Sequence, residues 1–502
     1  MRFWAKISDH TKYRILEIIP GFSIWLTFFL AIVVSFIKPL WVIYFIIFFD
    51  LYWLIRVFYI FVYLIIAYRR YRREIKVDWL SVCRKIANFE NVYHLIVIAT
   101  YKDDINIIRT SLKYLKQISY PLNKLIVVLA FEDKEGEEAI NKAKIIEQEF
   151  GQSFFKFIWT RHPKDVPGEV AGKGSNIAYA GRQAKIWLDE RQIPYENIVV
   201  SSFDVDTCVH PEYFSYLTHK YLTVEKPTRT SYQPIPLFNN NIWDSPALMR
   251  VASNSTTFWL MSETLRPERL FTFASHSMSF KALVDVDFWQ SDIVTEDSRI
   301  FIQGFIRYDG DYRVLPMYIP ISMDTVLGAN FWESFKNLYK QQRRWAYGVE
   351  NFPFMFWNFF PNNKIRLGSK LRYLWNQLEG VYSWATAPIL IFILGRLPVW
   401  VIHHFERPEK FSPLVQNAPS ILGWLMGAAT FGLFVSAILS LVILPPKPKK
   451  HSRLKYPLML LQWILFPVSM IIFGSIPATD AQTRLMLGKY LGFQSTKKVR
   501  HN

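Results

Sequence analysis

Asp204 and Asp206 stand two residues apart in Ser201–Pro211, SSFDVDTCVHP, directly after the apolar run Ile198 to Val200. If that run is a buried strand, Asp-Val-Asp sits at its end, where the alternation of side chains can aim both acids at one point outside the sheet. Two carboxylate oxygens suit a hard divalent ion. Mg²⁺ or Mn²⁺ takes one or two protein carboxylates and completes its shell with phosphate oxygens, so a strand-end Asp-x-Asp suggests a metal-nucleotide site. The same triplet would also serve as a solvated turn, and the rest of the chain has to decide between them.

The elements that must position these acids are legible upstream. His94 to Thr100 (HLIVIAT), Lys124 to Phe131 (KLIVVLAF), Ser153 to Trp159 and Ile198 to Phe203 read as buried parallel strands. Between them, Ile105 to Gln117 and Lys134 to Phe150 carry apolar residues at helical spacing. Strands alternating with helices imply an α/β sheet whose ligands bind beyond the carboxyl ends of the strands. Thr100, Glu132 and Asp204 all fall at such ends.

The chain has 502 residues, enough for about three structural units. Half of them are hydrophobic and 17% are aromatic, and the apolar residues gather in long blocks near the two ends. The net charge of +18 arises largely beside those blocks, in Arg69-Arg70-Tyr71-Arg72-Arg73 and in Lys447, Lys449, Lys450, Arg453 and Lys455. Membrane flanks explain this distribution better than a nucleic-acid partner. Two cysteines, Cys83 and Cys208, indicate neither a disulfide framework nor a Cys-based zinc site, and the histidines show no metal-ligand spacing.

Ile18 to Ile37 and Leu40 to Tyr68 form an expected anchor hairpin, with Asp50 and Arg56 of the second block expected to approach each other or to snorkel. Further spans are expected at Tyr382 to Val401, Ile421 to Leu444 and Pro457 to Ile476. Five spans would put the C-terminus outside, yet Arg484, Lys489, Lys497, Lys498 and Arg500 favour the cytosol, so either the last Pro-containing block re-enters or one assignment fails. The expected organisation is a membrane hairpin over 1–68, a cytosolic α/β domain over 69–360, and a membrane region with a basic tail over 361–502.

Five stretches occur in an order that resembles the family 2 glycosyltransferases, in their membrane-embedded branch that includes cellulose and hyaluronan synthases. These are Ala99-Thr100-Tyr101-Lys102-Asp103, Gly172-Lys173-Gly174-Ser175-Asn176, Asp204-Val205-Asp206, Thr295-Glu296-Asp297 and Gln341-Gln342-Arg343-Arg344-Trp345. The resemblance covers about 90 to 350 and implies a GT-A-like, Rossmann-like domain. It implies that Thr100, Tyr101 and Asp103 bind the nucleoside and that Lys173 reaches the phosphates. Asp206 with Asp204 would hold Mg²⁺ or Mn²⁺ on the diphosphate, with Asp204 also on the donor. Glu132 stands where the family usually has a base-binding Asp. Asp297 is given the role of general base, and Glu296, Gln341, Arg344 and Trp345 that of acceptor and product-phosphate contacts. An acidic helix start for Glu296-Asp297 and an interfacial amphipathic helix for Gln341 to Trp345 are the structural readings of the same residues.

The resulting expectation is an inverting hexosyltransferase of the cell membrane. It would take a cytosolic nucleotide-sugar, a UDP-sugar by the resemblance, and extend a polysaccharide, with Tyr382 and Trp384 as candidates to stack on sugar faces. Transfer of one sugar to a lipid carrier is the close alternative, and an inactive scaffold or a transporter the distant one.

Overall fold

The computed structural model describes residues 7–492, so Lys497, Lys498 and Arg500 of the basic tail lie outside the described residues. The four strands expected from the apolar runs form half of one sheet. They are β1 (Tyr93–Ala99), β2 (Leu125–Glu132), β3 (Lys156–His162) and β4 (Ile198–Asp204), with β3 beginning three residues later than expected because Gly151–Ser153 closes a short 3₁₀ turn. β1 lies between β2 and β4, parallel to both, and pairs Ala99 with Ala130 on one side and with Asp204 on the other. Leu95, Ile96 and Val97 are fully buried, as strands covered on both faces require. This register brings Thr100, Glu132 and Asp204 to one edge.

The other half of the sheet was not expected. It contains β5 (Cys208–Val209), β6 (Thr230–Phe238), β7 (Ser277–Ser279) and β8 (Arg313–Met323), in the overall order β3-β2-β1-β4-β7-β6-β8-β5. β7 runs antiparallel to β4 and β6, whereas β6 and β8 are parallel, so the sheet is mixed. Prolines conceal the long pair: Pro234 and Pro236 lie in β6, Pro316 and Pro320 in β8, and the register shifts between Gln233 and Ile235. Proline removes a ladder donor and argues against a strand, and an irregular register is how a sheet accommodates it.

One face of the sheet is covered by Ile105–Lys116, capped by the Asp104 carboxylate, which accepts from Asn106 N–H. Lys173–Glu190, Glu296–Arg307 and Asn351–Phe359 cover the other face. Gly174 is needed for this packing. A Cβ there would stand 3.0 Å from the Gln290 carbonyl and 3.2 Å from Glu296 Cβ, so the absence of a side chain lets the two helix starts meet.

Among the described residues, four helices are long and apolar enough to cross a membrane, or five if a bent pair counts as one span. Asp9–Ile37 and Pro39–Glu74 form the hairpin, and Pro413–Val442 is a third. The span expected at Tyr382 to Val401 instead straddles a 45° bend between Leu367–Phe392 and Leu394–His404. Asp50 and Arg56 do not meet. Arg56 pairs with Glu379 of Leu367–Phe392 and with the Tyr52 hydroxyl, while Asp50 Oδ1 is buried without a partner among the described residues.

The last block, Lys455–Met486, qualifies as a span by length and composition, and it also bonds residues of the α/β domain. Lys455 donates to the Trp243 carbonyl, Arg250 Nε to Gln462 Oε1 at 2.7 Å, and Arg343 to Asp480 at 3.0 Å. A 3₁₀ turn at Gln462–Leu465 and a π-helical turn at Met470–Ser475 break its course. The block is tied to the bent pair as well, through Ser475 Oγ and Gln482 Nε2, which donate to the Trp384 and Val381 carbonyls.

Candidate active site

Lys173 organises the site. It begins the helix Lys173–Glu190, its side chain is 9% exposed, and its Nζ lies 2.7 Å from Asp204 Oδ1, 3.0 Å from Asp297 Oδ1 and 3.8 Å from Glu296 Oε1. One ammonium therefore joins the end of β4 to the start of the helix Glu296–Arg307. Burial opposes the charge, but Asp204, Asp297 and Glu296 together outweigh it and raise the Lys173 pKa. The stabilisation from such a raised group is complete below the ordinary lysine value and lost only above it, so Lys173 stays charged through the neutral range.

Glu296 and Asp297 do occupy a helix start, where the dipole favours acids. Their surroundings differ. Asp297 is half-buried and holds Lys173 through both oxygens, whereas Glu296 is 2% exposed and its Oε1 has no hydrogen-bond partner among the described residues. Burial first, and the neighbouring Asp297 second, raise the Glu296 pKa against the opposing pull of Lys173 and Arg344. A carboxyl raised in this way contributes its full stability below the ordinary carboxylate range and loses it as pH rises through the raised value. Glu296→Gln is therefore expected to raise the melting temperature of the purified protein at pH 8 by the equivalent of about 1 kcal/mol, with little change at pH 4. A melting temperature lowered at pH 8 would contradict the assignment.

The helix Phe331–Ala346 brings the Gln341 to Trp345 stretch to the same place. Arg344 is close enough to Glu296 to oppose its protonation, and Trp345 packs on Phe238 of β6 with ring centroids 5.8 Å apart. Gln341 is half-buried one turn earlier. Trp332 at the start of this helix is 73% exposed.

On the donor side, Asp103 Oδ2 accepts from the Thr100 hydroxyl and from Tyr101 N–H at 3.0 Å, which fixes the turn after β1. Glu132 is buried at the end of β2. Its Oε2 meets His162 Nδ1 at 3.3 Å, His162 Nε2 meets Glu169 at 2.8 Å, and Glu132 Oε1 has no partner among the described residues. Asp206 is 1% exposed and its Oδ2 accepts from Asp324 N–H at 2.8 Å, in the turn after β8. Among the described residues no group of three or more His, Cys, Asp or Glu could hold a metal ion alone. The donor set of Asp204 and Asp206 fits a hard ion that draws its remaining oxygens from a diphosphate, and it does not fit a closed protein cage.

Residues that sequence reasoning left without a role also shape the site. His276 is fully buried with Nδ1 3.8 Å from Asp297, and its ring lies between the Phe273 carbonyl and Trp289 Nε1. Ser275 Oγ accepts from Asp204 N–H, and Thr272 Oγ1 donates to the Asp297 carbonyl. Ser275 and His276 lie in Ser275 to Lys281, SHSMSFK, outside the five stretches that carry the resemblance. Tyr382 and Trp384 are occupied elsewhere: the Tyr382 hydroxyl bonds Thr27, and Trp384 faces the π-helical turn.

The description "Glycosyl transferase family group 2" matches 199–475, a stretch that includes Asp204, Asp206, Glu296, Asp297 and Gln341 to Trp345. No curated protein matches the chain. Among solved structures, it is similar to the mannosyltransferase PcManGT from Pyrobaculum calidifontis in complex with GDP-Man and Mn²⁺, at 14% identity and a TM-score of 0.39, over 84% of this chain and 96% of that one. It is also similar to S. aureus TarS 1–349 in complex with UDP-GlcNAc, at 11% identity and a TM-score of 0.35, over 68% of this chain and 90% of that one. The family match spans more than half of the chain and both carboxylate pairs of the site, so the protein belongs to glycosyl transferase family group 2 and is a glycosyltransferase.

Proposed function

We propose that the protein transfers a sugar, with inversion, from a nucleotide-sugar to an acceptor glycan at the cytosolic face of a membrane. The observation that carries this reading is the Lys173 bridge, which puts the donor-side carboxylate of Asp204 and the acceptor-side carboxylate of Asp297 within reach of one ammonium. Thr100, Tyr101, Asp103 and Glu132 would receive the nucleoside, a uridine by the aromatic and acidic character of the turn. Mg²⁺ or Mn²⁺ on Asp204 and Asp206 would offset the diphosphate charge. Lys173 contacts both oxygens of Asp297, and its ammonium would also be drawn to the incoming diphosphate. Asp297 then takes the hydroxyl proton while the acceptor oxygen bonds to the anomeric carbon and the bond to the diphosphate oxygen breaks. Glu296, Arg344, Gln341 and Trp345 bound the acceptor side. Incubation of purified protein with a panel of nucleotide-sugars, followed by mass spectrometry, tests this. Transfer or hydrolysis that needs Mg²⁺ or Mn²⁺ and stops in EDTA is expected. No turnover of any donor, or full turnover in EDTA, would count against it. The product also reports the acceptor class, as a ladder of lengths or as one sugar on a lipid.

The same reading places the α/β domain in the cytosol. The hairpin, the bent pair and Pro413–Val442 would make four crossings, and Lys455–Met486 would lie along the cytosolic face, in keeping with the basic residues after it. The second helix of the hairpin continues past 68 to Glu74. Cys83 and Cys208 are both buried and cannot report sidedness. Exposed Glu190 and Glu406 can, as single introduced cysteines. In intact cells an impermeant thiol reagent should label Glu406→Cys, and Glu190→Cys only after permeabilisation. The reverse pattern would overturn the topology.

A further inference from the structure

Away from the catalytic carboxylates, a cavity of about 490 Å³ opens between the helices Pro39–Glu74 and Leu367–Phe392 and the segment after the helix Ala247–Glu263. Four guanidinium groups line it, those of Arg56, Arg266, Arg269 and Arg372. Three carboxylates face them: Glu379 pairs with Arg56, Glu263 with Arg269 at 2.8 Å, and Glu268 with Arg266 at 3.7 Å. One positive charge is left over. Arg372 is exposed and makes no ion pair among the described residues, and Arg56 Nε is buried there without a hydrogen-bond partner. The site thus offers guanidinium donors to a singly charged anion.

Its height suggests the source of that anion. At a rise of roughly 1.5 Å per residue, Arg56 stands about 25 Å along the helix from Pro39. The polar end of the hairpin is marked by Arg407, which donates to the Phe36 carbonyl. A hydrocarbon core of about 30 Å measured from there ends near Arg56. Trp375, at the cavity mouth, is 69% exposed, as a residue of an aromatic belt would be.

We propose that this cavity binds the phosphodiester headgroup of an acidic phospholipid of the cytosolic leaflet. A phosphodiester carries one negative charge and matches the single unpaired guanidinium, and guanidinium forks suit phosphate oxygens. The headgroup would sit against the strand of chain that passes the proposed base. Asn376 donates to the Arg269 carbonyl, and three residues later Thr272 donates to the Asp297 carbonyl.

The proposal rests on the membrane placement given above, and the test separates the two. Full-length protein is reconstituted in nanodiscs of phosphatidylcholine with a minor fraction of phosphatidylglycerol, and the lipid retained is counted by native mass spectrometry. Failure of the chain to enter the bilayer would refute the membrane placement and the lipid site with it. Entry with preferential retention of phosphatidylglycerol is expected, falling roughly threefold to tenfold in Arg372→Gln and unchanged in Lys144→Gln on the remote surface. Entry with no preference, or an equal loss in both variants, overturns the site alone. Displacement of the retained lipid signal by millimolar inorganic phosphate would show that a soluble anion, and not a lipid headgroup, is the ligand. Arg372 is exposed, so its substitution leaves folding intact; Arg56→Gln, with retention compared at equal melting temperature, gives a second reading.

Discussion

Asp297→Asn is expected to lower the turnover number at least a hundredfold while leaving nucleotide affinity within a few fold of wild type. Asn keeps the shape of Asp and can still accept from Lys173 Nζ, which also retains Asp204 at 2.7 Å, so the donor side of the site should stand. What Asn cannot do is take the acceptor proton, and loss of a positioned base costs on the order of 10²–10⁴ in rate. Single-turnover rates at saturating donor, set beside nucleotide binding by calorimetry, separate the two effects. Wild-type turnover in the folded variant would remove Asp297 from the chemistry and leave Glu296 as the next acid to test. A parallel loss of binding would make Asp297 a structural helix-start residue.

Lys173→Met should be the most damaging single change to the fold of the site. Met fills nearly the same volume but leaves Asp204, Glu296 and Asp297 facing one another around a buried gap, where Lys173 now lies within 3.8 Å of each. Removing one partner of a buried ion pair costs about 3–5 kcal/mol because the other charge stays desolvated. The melting temperature should fall accordingly at pH 8. The deficit should shrink as pH is lowered into the carboxylate range, since protonation relieves the repulsion that the buried, already raised Glu296 feels first. Lys173→Arg keeps the charge and should recover much of the stability. A Met variant as stable as wild type at pH 8 would mean that the three acids move apart freely, and the bridge would lose its organising role.

The parallel half of the sheet was legible because its strands are short apolar runs with no competing signal, and Thr100, Glu132 and Asp204 therefore fell at one edge on paper as in space. β6 and β8 were not, because Pro234, Pro236, Pro316 and Pro320 erase the strand pattern that their neighbours would otherwise show. The site followed the same division. Motif residues could be named from sequence, but the Lys173 to Asp297 contact joins positions 124 apart, and nothing local announces it. Arg56 was expected to approach Asp50 on its own helix or to snorkel, and pairs with Glu379 instead, since a partner on an adjacent helix leaves no trace in sequence spacing. The contacts of Lys455–Met486 with the sheet domain were hidden for the opposite reason: its composition is that of a span, while Lys455, Gln462 and Asp480 bond residues of the domain.

The helices Asp9–Ile37 and Ile476–Met486 pack so closely that a Cβ on Gly21 would stand 2.7 Å from the Gln482 carbonyl, and Trp25 Nε1 donates to Thr483 across 458 residues of chain. Translation at roughly 5–20 residues per second makes the first of these helices on the order of 20–90 s before the second. During that interval the small-residue face at Gly21 is covered only by lipid or by another protein of the insertion machinery. The bundle is thus closed by the last-made of its helices. A chain stopped before Ile476 is expected to keep a protease-resistant sheet domain while its hairpin is degraded early, a defect of biogenesis that no assay of the finished enzyme would reveal.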